Sequence, residues 1–387
     1  MTFAASDRLG KLPPYLFAAI DAKKKAAIEK GADVISLGVG DPDLPTPSHI
    51  VEAGKKALEK AVNHQYPFGA GMMAFRRAAA DWYKSRFRVD LDPASEVHAL
   101  IGSKDGLTHL PLAFLNPGDT VIIPEPAYPA YNAAVILAGG VSHFVPLLEE
   151  NGFLPDLESL STRVLKKAKF LFLNYPGNPT SAVATRAFFE KVVELAKEFG
   201  FFVAHDAPYS EIFFQEPPMS FLEIPGAKDV GVEFHSCSKT YNMTGWRIGW
   251  VCGNAEIVRV LGQLKENFDS GVFQAVQEAG IAALTGPQDC VGEMRKTYQE
   301  RRDLFVPALR KMGWSVITPP ATFYVWARVP EGLTSARVVE RLLDEAHVVC
   351  TPGNGLGPSG EGYVRFALTV PAPRLQQAVE RLEKLRW

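Results

Sequence analysis

Cysteine is scarce in this 387-residue chain: there are four, and no two form a C-x-x-C pair. Cys237, Cys252, Cys290 and Cys350 are scattered, which argues against a disulfide frame or a zinc site and reads as reduced thiols of an intracellular protein. The eight histidines form no H-E-x-x-H, so a metal hydrolase is not expected and no metal is assigned. There is no G-x-x-x-x-G-K-[ST], which excludes a nucleotide P-loop. A formal net charge of −2 gives no global field to attract nucleic acid or a membrane surface. No uninterrupted run of about 18 apolar residues occurs, and Met1–Lys11 is polar with no apolar leader core. A soluble, cytoplasmic protein is expected.

What is present is globular: 47% hydrophobic and 22% charged residues, enough for a large domain and a smaller one. From about residue 96, short β-rich runs alternate with helical ones. Val97–Ile101, Thr120–Ile123, Phe170–Asn174, Phe201–His205, Val232–Ser236 and Ile248–Cys252 read as strands, with helices over Asp105–Leu115 and Arg186–Phe199 between them. This alternation predicts an α/β domain with a mostly parallel sheet, whose ligands gather at the carboxyl ends of the strands. After Thr285-Gly286-Pro287 the pattern changes to a charged helix (Glu293–Met312), strands over Thr322–Val329, Val348–Thr351 and Tyr363–Leu368, a helix near Ser335–Ala346, and a final amphipathic helix. A second, α+β domain is expected there, joined by the N-terminal Leu12–Lys30 helix. The predicted division is a large domain over residues 46–286 and a small one from 1–45 and 287–387.

Gly355-Leu356-Gly357-Pro358-Ser359-Gly360 matches G-x-G-x-x-G letter for letter. Dinucleotide binding needs a strand before that motif and a helix after it; here a strand-like run follows, so the match is a decoy. Gly38-Val39-Gly40-Asp41 lacks the third glycine and fails as well.

The chemistry-bearing window is His235-Ser236-Cys237-Ser238-Lys239-Thr240, continuing through Gly245-Trp246-Arg247. An amine able to form a Schiff base, flanked by hydroxyls and a fixed cation suited to a phosphate dianion, is what anchoring pyridoxal 5'-phosphate requires. Ser-x-Ser-Lys alone is common in loops, so the reading rests on other segments too. Asp206 ends an apolar strand and suits a protonated ring nitrogen, although a helix cap is the plain alternative. Tyr209 can approach the ring oxygen. Gly102-Ser103-Lys104 opens a helix directly after a strand, where free N–H groups favour an anion. Tyr128 can stack on a ring. Two X-Pro bonds near Asn178 make a rigid turn, with cis peptides allowed, that would aim its amide into the cleft, a plain turn being the alternative. Arg365, between Val364 and Phe366, needs a partner if buried, and a substrate carboxylate is the functional candidate.

In this order, with Gly38-Val39-Gly40-Asp41-Pro42-Asp43 and Tyr66-Pro67, these residues resemble the fold type I aminotransferases of class I/II over nearly the whole chain. Within that family the chain is most similar to the LL-diaminopimelate aminotransferases. Asn63-His64-Gln65-Tyr66-Pro67, Ser220-Phe221-Leu222-Glu223, Gly226-Ala227-Lys228-Asp229-Val230 and Thr351-Pro352-Gly353-Asn354-Gly355 carry that likeness. The resemblance implies a seven-stranded sheet, a homodimer in which Tyr66 reaches the partner's cofactor phosphate, and Tyr15 and Gly40 on the substrate side. It also implies transfer of an amino group from LL-2,6-diaminopimelate to 2-oxoglutarate. Gly177 and Ser181 depart from the family's usual turn, which bears on the pocket's shape. An aminotransferase for alanine, aspartate or aromatic amino acids, and a β-lyase on the same fold, remain alternatives. A transcription regulator built on this fold would need a DNA-binding segment before Leu12, and none is read there.

Overall fold

The computed structural model describes residues 3–13 and 16–387. Seven strands form the main sheet, in the order Val97–Leu100, Gly249–Gly253, Gly231–Ser236, Phe202–Asp206, Ala168–Asn174, Thr120–Glu125 and Val141–Pro146. Only Gly249–Gly253 runs against its neighbours; the other pairings are parallel. The edge strand Val141–Pro146 is missing from the sequence reading, because its mixed Ser-His-Phe pattern leaves it largely exposed.

The central strands are buried on both faces, and their residues alternate between two cores. Phe170 and Phe172 pack into one with Leu100, Leu107 and Val121, while Leu171 and Leu173 pack into the other with Phe189 and Val203. Near-continuous apolar runs of this kind need helices on both sides of a parallel sheet. Helices Ser103–Phe114 and Ala255–Phe268 cover one face, and Arg186–Phe199 covers the other.

A second sheet is antiparallel, with the order Thr351–Pro352, Tyr363–Ala367, Tyr324–Arg328 and Ser315–Val316. Ile35–Ser36 pairs in parallel with Val348–Val349, so the N-terminal segment packs on the C-terminal part of the chain. The expected single strand Val348–Thr351 is therefore two short pieces in different sheets. The N-terminal helix spans Leu16–Glu29. The long charged helix spans Asp289–Lys311. Among the described residues, no helix is long and apolar enough to cross a membrane.

Candidate active site

The parallel strands deliver their carboxyl ends to one edge of the main sheet, and the antiparallel strand begins there. That edge therefore receives Asn174, Asp206, Ser236, the turn at Gly102 and, just before Gly249, Arg247. Between it and the second sheet lies a cavity of about 280 Å³. Its walls bring together Gly40, Ser103, Lys104, Tyr128, Asn178, Asp206, Tyr209, Ser236, Ser238, Lys239, Arg247 and Arg365, all singled out in the sequence. Tyr66 is 71% exposed and does not line this cavity. Tyr15 lies outside the described residues.

Lys239 sits in the one-turn helix Cys237–Thr240, and its Nζ donates to the Gly40 carbonyl at 2.9 Å. Burial lowers its pKa to about 8; Asp41 opposes this, and Arg247 and Arg365 add to it. A lysine so placed can be neutral near physiological pH.

Asp206 is buried at the end of its strand. Tyr131 donates to its Oδ2 at 2.6 Å, while its Oδ1 is buried with no hydrogen-bond partner among the described residues. Burial raises this carboxyl to about 6, although the Tyr131 bond pulls the other way. An orphaned carboxylate oxygen lining a cavity fits a ligand that brings a cationic N–H. Asn174 ties the region together: its Nδ2 donates to the Asp206 carbonyl at 2.7 Å, and its Oδ1 accepts from the Asn178 backbone at 2.8 Å. The peptides before Pro176 and Pro179 are both cis.

The opposite end of the cavity is electropositive. Gly102 has φ +77°, and a Cβ there would lie 2.3 Å from a guanidinium nitrogen of Arg247, so only glycine lets the arginine rest on the start of helix Ser103–Phe114. Arg247 is fixed by bonds to the carbonyls of Thr244 and Ile101 at 2.9 and 3.3 Å. Burial, then Arg247, lowers the pKa of Lys104. A helix N-terminus, a serine pair and an arginine together suit a phosphate. With the amine of Lys239 and the open oxygen of Asp206, the residues present fit pyridoxal phosphate.

Arg365 is 1% exposed, in strand Tyr363–Ala367 of the second sheet. It donates to Asn178 Oδ1 and to the Gly38 carbonyl, each at 2.7 Å, and its guanidinium lies 4.3 Å from the Tyr324 ring centroid. With its Oδ1 occupied by Arg365, the Asn178 amide has its NH₂ left to donate.

Sequence reasoning missed Tyr131, Asn174 and Tyr324. Asn174 was visible as the polar residue closing an apolar strand; the two tyrosines carried no local signal. Lys265, on a helix face that reads as solvated, is instead buried in an ion pair with Asp105 and with Asp269, the latter at 2.8 Å. The G-x-G-x-x-G decoy acts as a backbone bracket. The Leu356 carbonyl accepts from Ala127, the Ser359 N–H donates to Glu125, and Gly357, at φ +132°, lies flush against the Glu125 side chain.

The aminotransferase class I and II family model matches residues 32–382. Eight curated relatives, at 53–58% identity, are named LL-diaminopimelate aminotransferase. The one from Aquifex aeolicus is 58% identical over 385 residues, covering 99% of this chain and 100% of the relative. The one from Desulforudis audaxviator is 57% identical over 387 residues, covering 99% and 98%. Among solved structures, substrate-bound BacF from Bacillus subtilis superposes with a TM-score of 0.96 at 39% identity, covering 99% of this chain and 98% of BacF. Sequence, cavity and relatives agree, and the chain belongs to the class I and II aminotransferases.

Proposed function

We propose that this chain transfers the amino group of LL-2,6-diaminopimelate to 2-oxoglutarate, giving glutamate and an oxo acid that cyclises to tetrahydrodipicolinate, a step of lysine biosynthesis. The observation that carries the choice of donor is the shared name of full-length relatives more than half identical to this chain.

When bound, pyridoxal phosphate supplies an electron sink for the bond pair released at the substrate Cα. The chain's own residues do the rest. Ser103, Lys104, Ser236, Ser238 and Arg247 hold the phosphate, and Tyr128 packs on the ring. Asp206 keeps a proton at the ring nitrogen, and Tyr209 and Asn178 donate to the ring oxygen. Lys239 is the covalent anchor. With that link open, its Nζ would take the substrate Cα proton and deliver it two atoms along, to the carbon on the far side of the substrate nitrogen. A pKa of about 8 suits that exchange, because neither protonation state is far out of reach at neutral pH. Arg365 grips the α-carboxylate, with Gly40 and Tyr15 on the same side.

The reading extends to the assembly: a cytoplasmic homodimer in which Tyr66 enters the partner's phosphate site. The exposure of Tyr66, Phe68, Val62 and Phe268 supports a second copy covering this surface. Residues 46–286 act as the cofactor domain, and residues 1–45 with 287–387 as the domain bringing Arg365 to the substrate.

A panel of amino donors with 2-oxoglutarate tests the reaction. Glutamate formation from LL-diaminopimelate well above that from the meso isomer, alanine, aspartate or phenylalanine is expected. Preference for another donor rejects the assignment. Release of pyruvate and ammonia from cystathionine without an oxo acid points instead to a β-lyase.

A further inference from the structure

Tyr324 stands where three parts of the site meet, and nothing in the reaction described above uses it. Its hydroxyl lies 3.0 Å from that of Tyr209, both buried. The Arg365 guanidinium lies over its ring. Gly40 is packed so closely that a Cβ there would fall 2.1 Å from the Tyr324 hydroxyl oxygen. Its backbone is pinned as well: its N–H donates to Thr322 Oγ1 at 3.0 Å, and its carbonyl accepts from Ser181 Oγ at 2.9 Å. A side chain held on so many sides has one available pose.

Two hydroxyls that share one hydrogen bond have one proton left over. Among the described residues, neither hydroxyl makes another hydrogen bond, so a buried donor would stay unsatisfied unless a ligand accepts it. Gly40 closes one flank of the Tyr324 hydroxyl, and Tyr209 lines the cavity beside Asp206 and Lys239. We propose that Tyr324 donates to Tyr209 and so directs the Tyr209 proton at the cofactor, making Tyr324 a positioning residue that couples the carboxylate-binding arginine to the cofactor's ring oxygen. Burial, followed by Tyr324, holds the Tyr209 phenol well above its ordinary pKa, so Tyr209 is a neutral donor. A donor that itself receives a hydrogen bond donates more strongly. The inference rests on the pyridoxal-phosphate reading above, though not on which amino acid is the substrate.

The test is a spectrophotometric pH titration of the cofactor-loaded, full-length protein. The proton it follows is shared with the ring oxygen that Tyr209 would stabilise in its anionic form. Weakening Tyr209 must therefore move the midpoint up. Tyr324→Phe is expected to raise it by about half a unit to one unit, the worth of one hydrogen bond. Tyr209→Phe raises it further, and the double variant should match Tyr209→Phe alone, because the Tyr324 effect passes through Tyr209. Tyr324→Leu, which also removes the ring under Arg365, should add a roughly five-fold rise in KM for both amino and oxo acid. An unchanged midpoint in Tyr324→Phe, or shifts that add in the double variant, overturns the proposal. A wild-type protein with no titrating visible band would overturn the cofactor reading instead.

Discussion

Cofactor-free protein should be destabilised by its own active site, and replacing Asp206 with asparagine should show it. The Asp206 carboxyl is raised from 3.8 to about 6 because burial strips its water and leaves Oδ1 without a partner. A carboxyl that binds its proton more tightly folded than unfolded favours folding only while protonated. The folded state therefore loses stability as pH rises from below 3.8 to above 6. At 1.36 kcal/mol per pH unit, the full loss is about 3 kcal/mol, and roughly half of it falls between pH 5 and pH 8. Asparagine cannot ionise and escapes this loss, whatever constant cost its amide brings. Denaturant unfolding of the stripped wild-type and Asp206→Asn proteins at pH 5 and pH 8 measures the effect. The variant should gain on the wild type by about 1.5 kcal/mol between the two pH values, while its affinity for pyridoxal phosphate falls. A difference independent of pH, or one of opposite sign, would refute the claim that Asp206 is held in wait for a cation.

Two further outcomes follow from buried charges elsewhere. Arg365→Lys keeps the charge but loses the guanidinium fork, so KM for amino donor and oxo acceptor should both rise about 10- to 100-fold, since both carry an α-carboxylate; steady-state kinetics with each substrate varied in turn checks this. Glu233 belongs to the strand that ends at Ser236, beside the one that ends at Asp206, and accepts from His235 at 2.9 Å, Tyr83 at 3.1 Å and Ser220 at 2.7 Å, with His205 within 3.3 Å. Burial alone would raise its pKa, but His205 and then His235 outweigh that and depress it, so its contribution is present above 4.5 and is lost as pH falls. Glu233→Gln should cost about 3 kcal/mol at pH 7, and unfolding curves should show the gap to wild type closing in acid.

The residues legible in the sequence share one property: each is anomalous in its local pattern. Asp206 ends an apolar strand, Arg365 interrupts one, and Lys239 lies in a hydroxyl-rich run between two strands. The missed residues fit their surroundings. Tyr131 opens an apolar helix and reads as core packing until folding brings it to Asp206, 75 positions away. Tyr324 sits in an apolar strand where a tyrosine needs no explanation. Arg301 is a further case: in its charged helix it reads as solvated, yet it is 3% exposed and makes two bonds to Asp43, at 2.6 and 2.8 Å. That pair pins the loop carrying Gly40 to the helix, and only the tertiary fold reveals a partner 258 residues away. The main sheet was readable because parallel strands are buried on both faces; its exposed edge strand was not, because it lacks that apolar signature.

The central claim is that Lys239 carries the cofactor. Borohydride reduction of the pyridoxal-phosphate-loaded protein, followed by peptide mass spectrometry, tests it most directly. A phosphopyridoxyl group is expected on the peptide containing Lys239, displaced from it when LL-diaminopimelate is added before reduction, and absent in Lys239→Ala. Labelling at Lys104 or another lysine instead, or labelling that persists in Lys239→Ala, would contradict it.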